Sequence, residues 1–233
     1  MQASILSKLV DATIELVKCV NIDVTGDGWY AQAMDGSHVA LFAFTITKDS
    51  FSTLNVQYPV TLGINLAALK SVMKILKSAD ILTLKSNGNM LDITGEHDGK
   101  NMRYELKLMD IESEQLDIPN MVFDYVVNLP SVEYVRTCQT AFGETVCISI
   151  GTNIMFTSKG EDGNSHVQYT DVVVKSAGYL TLEFASRYLS LFSKGASLSK
   201  TVTLSMSPET PIRLEFSFDG GHMCYYLAPK IED

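Results

Sequence analysis

A chain of 233 residues, 46% apolar and 19% charged, has a globular rather than a disordered composition and can bury one large core or two of roughly 110–120 residues. Its 18 basic and 27 acidic side chains give a formal net charge of −9, which excludes a uniformly basic nucleic-acid binder and leaves room only for a locally basic one. No apolar run reaches the roughly 18 residues of a membrane span, and Cys19, Cys138, Cys147 and Cys224 lie too far apart to form a metal or disulfide framework. The reading is a soluble protein of a reducing interior compartment, without a metal or cofactor, its cysteines serving as core thiols.

The first predicted element is an amphipathic helix over Ser4–Val20, with apolar residues spaced at three and four rather than the short apolar block of a signal peptide. The turn Asp23–Gly28 faintly resembles a calcium loop, but Met34 stands where the bidentate acid would be, so it reads as a plain turn. His38–Thr47 alternates as a strand, and Leu66–Ser78 returns to helical spacing. Strands follow at Ile81–Leu84 and Met102–Met109, separated by the turn clusters Ser86–Asn89 and Glu96–Gly99. Asp110–Tyr125 breaks the alternation with acids and a proline and reads as a linker. Beyond it, helices are expected at Ser131–Ala141 and Phe184–Lys194 and a strand at Thr201–Met206, with turns at Gly160–Asn164 and Asp219–Gly221.

Helix starts near residues 4, 66, 131 and 184 fit four copies of one helix-plus-strands unit, and the helix-to-strand junctions at 74–84 and 191–204 resemble each other. The expected fold is α+β: two similar domains at 1–107 and 125–233, each of antiparallel sheets with two helices, joined by a connector at 108–124.

The basic residues gather on the helices. Lys70, Lys74 and Lys77 recur at four and three along one predicted helix, in one stripe opposite Leu69, Val72, Met73 and Leu76. Lys8 and Lys18 on the first helix, Arg136 on the third, and Arg187 and Lys194 on the fourth bring the set to eight of the 18 bases. The predicted helices make up only about a fifth of the chain, so this is roughly a twofold concentration. A single lysine stripe reads as an ordinary solvated face, but four such helices on one side of curved sheets would make a basic surface on an acidic protein. With few aromatics for stacking and few amides for base edges, that surface suits duplex backbone rather than single strands or sequence readout. Asp11 and Glu15 make the first helix its weakest member.

Nucleotide-binding, hydrolase and zinc-protease signatures are absent, and His38, His97, His166 and His222 stand apart from any metal-type pairing. Nothing in the motifs points to catalysis, although a small-molecule or catalytic site assembled only in the fold is the reading from a different class.

The closing run Tyr225-Tyr-Leu-Ala-Pro-Lys-Ile-Glu-Asp233 closely resembles the end of the proliferating cell nuclear antigen family of eukaryotic DNA sliding clamps. Further similarities lie at Gln2–Leu6, Ala33–Leu41, Gly63–Leu66, Tyr104–Asp110, Glu114–Pro119, Arg187–Lys194 and Ser199–Ser207, so the resemblance spans the chain. It implies a homotrimeric, pseudo-sixfold ring with a helix-lined pore, non-enzymatic, holding double-stranded DNA without sequence preference. It also implies a nuclear location, roles in replication and repair, loading by an ATP-dependent clamp loader, and DNA polymerase and other proteins as partners through short clamp-binding motifs.

The resemblance assigns residues as well. The eight bases would face the pore. Subunits would meet at the edges Tyr104–Met109 and Val167–Asp171, through Tyr104, Leu106, Leu108, Val167 and Tyr169. Partner peptides would dock at Met34, His38, Leu41, Leu116, Ile118, Pro119, Pro211, Tyr226, Ala228 and Pro229. The family pattern carries a complete first strand ahead of the residues matching Gln2–Leu6, so the first sheet is expected to differ at its edge. Ile14 and Gln139 stand where the family often has a base, shifting pore charge toward Lys18 and Lys77. The acidic loop shortens around 172–178, and no lysine for ubiquitin attachment stands at Gly151–Asn153. The alternative within this class is a subunit of a heterotrimeric or checkpoint-type clamp.

Overall fold

The structure is a computed structural model that describes residues 1–76, 81–112, 116, 118, 121–170, 172, 174–175 and 178–231. Two compact units emerge. The first is Met1–Gly36, Phe42–Leu116 and Phe218–Met223, and the second is Ser37–Leu41, Asp117–Ser217 and Cys224–Asp233.

In chain order the elements begin with α1 (Ala3–Thr13), β1 (Cys19–Thr25), β2 (Gly28–Met34), β3 (Ala40–Thr47) and β4 (Val60–Asn65). There follow α2 (Leu66–Met73), β5 (Ile81–Ser86), β6 (Met90–His97) and β7 (Lys100–Lys107). The same series then recurs behind an extra strand, β8 (Tyr125–Pro130): α3 (Ser131–Gln139), β9 (Thr145–Ile150), β10 (Ile154–Gly160), β11 (Gly163–Tyr169), the short β12 (Val174–Lys175) and β13 (Leu180–Ala185). It closes with α4 (Ser186–Phe192), a 3-10 turn at Ser193–Ser197, β14 (Thr201–Met206), β15 (Ile212–Phe218) and β16 (Gly221–Leu227).

The duplication is explicit in the strand order. In the first unit β4-β1-β2-β3 lie side by side and β5-β6-β7 form a separate sheet; in the second, β13-β9-β10-β11 and β14-β15-β16 repeat those two arrangements. The difference lies at the start of each repeat. β8 runs antiparallel along the whole of β14, from Thr201↔Pro130 to Met206↔Tyr125, and β12 covers its other side. At the corresponding edge of β5 stands a single bridge, Gln2↔Ile81, with Met1 and Leu82 exchanging backbone hydrogen bonds.

Helix α1 is shorter than its apolar spacing suggests, because Thr13 turns its hydroxyl back on the Leu9 and Val10 carbonyls and the next turn tightens at Thr13–Val17. From Cys19 the alternating residues are claimed by the β1–β4 ladder instead. Lys18 therefore lies in the turn before β1, not on a helix. α2 is capped by Asn65, whose side chain accepts from the Ala68 N–H at 3.0 Å, and ends at Met73, so Lys74 is its cap. Ser78 and Lys77 fall outside the described residues. β3 starts at Ala40, since His38 takes φ +58° in the preceding turn.

Each unit buries the apolar face of its helices. Leu6, Leu9 and Val10 of α1 and Leu69, Val72 and Met73 of α2 are buried in the first. The second is built on aromatics: Phe192 stacks on Tyr225 with centroids 4.5 Å apart, Phe216 meets Tyr225 edge-on at 6.1 Å, and Tyr134, fully buried, meets Phe216 at 6.3 Å while donating to the Leu189 carbonyl. The cysteines are all free, but only Cys224 is fully buried; the other three are half-buried, not the uniform core thiols expected.

Burial in this second core sets an alkaline limit. It pushes the Cys138 and Cys224 thiols up from 9 to about 12 and the Tyr226 phenol, half-buried, from 10 to about 12; Tyr225 rises further. Folded values above unfolded ones mean that the unfolded chain loses these protons first. The stability they contribute is therefore complete below pH 9 and declines as pH rises toward 12. A thermal-unfolding series is expected to show the midpoint falling steeply across that interval; a midpoint that does not move there would contradict the burial of these groups.

Candidate functional site

Three surfaces carry the residues singled out from the sequence. The first is the outward face of the helices. α1 and α2 pack together in the first unit, as α3 and α4 do in the second. With the apolar residues turned inward, Lys8 and Lys74 are exposed, and Lys18 is exposed beside α2, whose Leu66 N–H donates to the Lys18 carbonyl at 3.0 Å. Lys70 is only part exposed, and its Nζ lies 2.7 Å from an Asp11 carboxylate oxygen. The lysine stripe is thus partly neutralised from the neighbouring helix.

In the second unit Arg136 is exposed but paired with Glu133 one turn back, at 2.6 Å. Arg187 is exposed with its guanidinium 4.6 Å above the Tyr188 ring, which holds it outward. Lys194 is exposed in the 3-10 turn after α4 rather than on the helix itself. Helical spacing could not find Lys200: it precedes β14, yet its carbonyl accepts the Ser131 N–H at 2.8 Å, which sets an exposed cation at the start of α3. Ile14, the α1 cap, is half-buried, whereas Gln139 is exposed at the end of α3.

Two strand edges form the second surface. Among the described residues β7 pairs with β6 alone and β11 with β10 alone, so each offers an open row of backbone groups. Both alternate in the same way. On β7, Met102, Tyr104 and Leu106 are half-buried and Arg103, Glu105 and Lys107 exposed; on β11, Ser165, Val167 and Tyr169 are half-buried and Asn164, His166 and Gln168 exposed. Tyr169 is held by its hydroxyl, 2.6 Å from that of Thr137 on α3. The ladder ends at Lys107: the Leu108 N–H turns to the Asn89 carbonyl and the Met109 N–H to that of Gly63 on β4. A Cβ on Gly63 would collide with the Met109 carbonyl oxygen, which explains a glycine in the middle of β4. On the second edge Asp171 lies outside the described residues.

The third surface is apolar with polar margins. In the second unit the Ala228 N–H donates to the Val39 carbonyl at 3.0 Å, which sets the segment bearing His38 and Leu41 against the one bearing Tyr226, Ala228 and Pro229. His38 and Ala228 are exposed, Leu41 is buried, and Tyr226, Pro229, Pro211 and Ile118 are half-buried. The tail is fixed by the Lys230 N–H on the Glu183 carbonyl at 2.7 Å and the Lys230 ammonium on Thr145. In the first unit Met34 and Leu116 are half-buried, and the Gln32 side chain donates to the Leu116 carbonyl at 2.8 Å. Pro119 lies outside the described residues.

Among the described residues no three His, Cys, Asp or Glu side chains gather as metal ligands, and no helix is long and apolar enough to cross a membrane.

Comparison with known proteins gives a consistent picture. The family model for the proliferating cell nuclear antigen N-terminal domain matches residues 1–116, and that for its C-terminal domain matches residues 117–230. A crystal structure of proliferating cellular nuclear antigen from Entamoeba histolytica superimposes with a TM-score of 0.93 at 28% identity, covering 99% of this chain and 96% of that one.

The Asp11–Lys70 pair can be tested directly. Asp11 is exposed and Lys70 part exposed, so water screens the pair and it is worth only about 0.2–1 kcal/mol. Asp11→Asn is expected to leave the thermal midpoint nearly unchanged while strengthening duplex DNA binding and steepening its dependence on log salt by up to about 0.9 per freed lysine. An unaltered salt slope would show that Lys70 does not face DNA.

Proposed function

The chain belongs to the proliferating cell nuclear antigen family of DNA sliding clamps, and we propose that it holds duplex DNA by enclosure, making and breaking no covalent bond. It is a processivity factor of DNA replication: a ring that keeps a polymerase near its template. The observation that carries the mechanism is the pair of open, matching strand edges, β7 and β11, on a chain whose family assembles into rings.

Three copies of this chain close head to tail, β7 of each against β11 of the next. Such heterologous contacts end in a ring when the rotation between copies allows it. The half-buried apolar faces, Tyr104, Leu106 and Leu108 on one edge and Val167 and Tyr169 on the other, supply the burial. Lys100 and Lys107 along β7 complement Glu161 and Asp162 at the head of β11, while Arg103 is already paired with Asp92 and Glu105 of its own sheet.

Lys8, Lys18, Lys70, Lys74, Lys77, Arg136, Arg187 and Lys194 then line the pore, joined by Lys200. Exposed, screened and partly paired cations suit sliding, because each phosphate contact is weak and sequence-blind. Residues 108–124 serve as the connector. The apolar surface of Met34, His38, Leu41, Leu116, Ile118, Pro119, Pro211, Tyr226, Ala228 and Pro229 accepts the short motifs of polymerases and repair proteins. Aromatic anchors in such a groove carry most of the binding energy, and tethering raises the local concentration of each partner. A separate ATP-dependent loader opens the ring, and the setting is nuclear.

Light scattering across a dilution series tests the assembly. A mass near three times 25.7 kDa is expected. Tyr104→Ala and Val167→Asp should each shift it toward one copy while the far-ultraviolet dichroism is retained. A monomer at every concentration in the unaltered chain would reject the self-closing ring and favour a heterotrimeric clamp.

A further inference from the structure

In the second unit a charged side chain sits within the otherwise apolar surface that bears Pro211 and Tyr226. Ile212 and Leu214 are fully buried, so the alternation of β15 turns Arg213 to the opposite face, where it is half-buried beside Ser205 of β14. Its guanidinium carbon lies 5.0 Å from the centre of the Phe123 ring, and β16 on its other side carries Tyr226. Burial raises the Tyr226 phenol, and the Arg213 charge is near enough to oppose that rise. The arginine is thus set among aromatic and apolar walls that suit aromatic anchors.

Of the chain's four arginines it is the one most loosely paired among the described residues. Arg103 lies 3.0 Å from Asp92 and 2.8 Å from Glu105, Arg136 2.6 Å from Glu133, and Arg187 donates to the Tyr188 hydroxyl at 3.0 Å. Arg213 reaches the Ser205 hydroxyl only at 3.5 Å and a Glu215 carboxylate oxygen only at 3.6 Å, both from Nη2, and its Nε is buried without an acceptor. A charge-assisted contact at full strength is shorter, about 2.7–2.9 Å. Glu215 is shared as well, its other oxygen accepting the Ser217 hydroxyl at 3.0 Å. The Phe123 ring therefore orients a guanidinium whose donors are largely unused.

We propose that Arg213 is a specificity-determining residue of the partner-peptide surface, selecting motifs that carry an aspartate or glutamate beside the aromatic anchor. The inference rests on the reading of that surface as the peptide site. An aromatic anchor settling between Phe123 and Tyr226 strips water from the guanidinium, and a covered charge with no close acceptor weakens binding. A carboxylate arriving with the anchor supplies the acceptor, and the planar fork of arginine matches its two oxygens where water no longer screens them. The protein carries a net charge of −9, so its surface at large repels an acidic motif and the preference is local to this arginine.

The test is fluorescence anisotropy with short labelled peptides bearing two adjacent phenylalanines, with aspartate or asparagine placed just before the pair or just after it. The unaltered full-length chain is compared with Arg213→Met and Glu215→Gln, each checked by far-ultraviolet dichroism. At one of the two placements the unaltered chain is expected to bind the aspartate peptide about tenfold tighter than its asparagine twin, the size of one charge-assisted hydrogen bond. Arg213→Met should bind the twins alike, and Glu215→Gln, which removes the competing carboxylate, should widen the difference. Equal binding of the twins by the unaltered chain at both placements, an aspartate preference that survives in Arg213→Met, or a preference that Glu215→Gln narrows would overturn the proposal and leave the surface a peptide site. Binding of no peptide by any chain would overturn the peptide-site reading itself, and this inference with it.

Discussion

A β-sheet ends in a row of N–H and C=O groups on each side, and a row left in water will pair with whatever chain presents itself. Much of this molecule follows from how its edges are settled. Met109 turns back to donate to Gly63 on β4, and in the second unit Lys230 does the same to Glu183 on β13, so the segment trailing each repeat closes the same edge. β8 closes β14. β7 and β11, each paired on one side among the described residues, belong to different repeats and share one alternating pattern, which is what a head-to-tail ring needs. In the proposed ring those two rows pair with each other, between copies instead of within one.

Charge is arranged by the same economy. A protein of net charge −9 would be repelled by DNA if its charges were spread evenly. Turning the apolar faces of α1–α4 inward puts lysines and arginines outward, while the acids sit largely on strands and turns. Asp11 and Glu133 temper the cations from within that surface. At a screening length of about 8 Å in physiological salt, each remaining cation feels only nearby phosphates, so attraction is short-ranged and forgiving of motion along the duplex. Enclosure, not affinity, must then provide the retention.

Much of this was legible in the sequence because it is local. Helical spacing found α1 to α4, and period-two alternation placed strands at β3, β5, β7 and β14; the repeat showed in the helix starts, and the carboxyl-terminal nonapeptide and scattered motifs pointed to the family. Misreadings came where a long-range contact outweighed a local pattern. The periodicity of Ser4–Val20 runs on past Thr13, but the ladder to β4 takes the residues from Cys19, which leaves Lys18 in a turn. Lys200 belongs with α3 only through a backbone bond across the chain. Neutralisation of Lys70 by Asp11 links residues 59 positions apart and has no signature in either helix alone.

Retention on circular DNA is the measurement that bears most directly on enclosure. The clamp, loaded onto a closed duplex circle by the ATP-dependent loader proposed for it and separated from free protein in high salt, is expected to stay with the circle and to leave within minutes once one cut makes the DNA linear. Equal loss from circular and linear DNA, or retention after the cut, would show that contact rather than topology holds the protein, and would contradict the account.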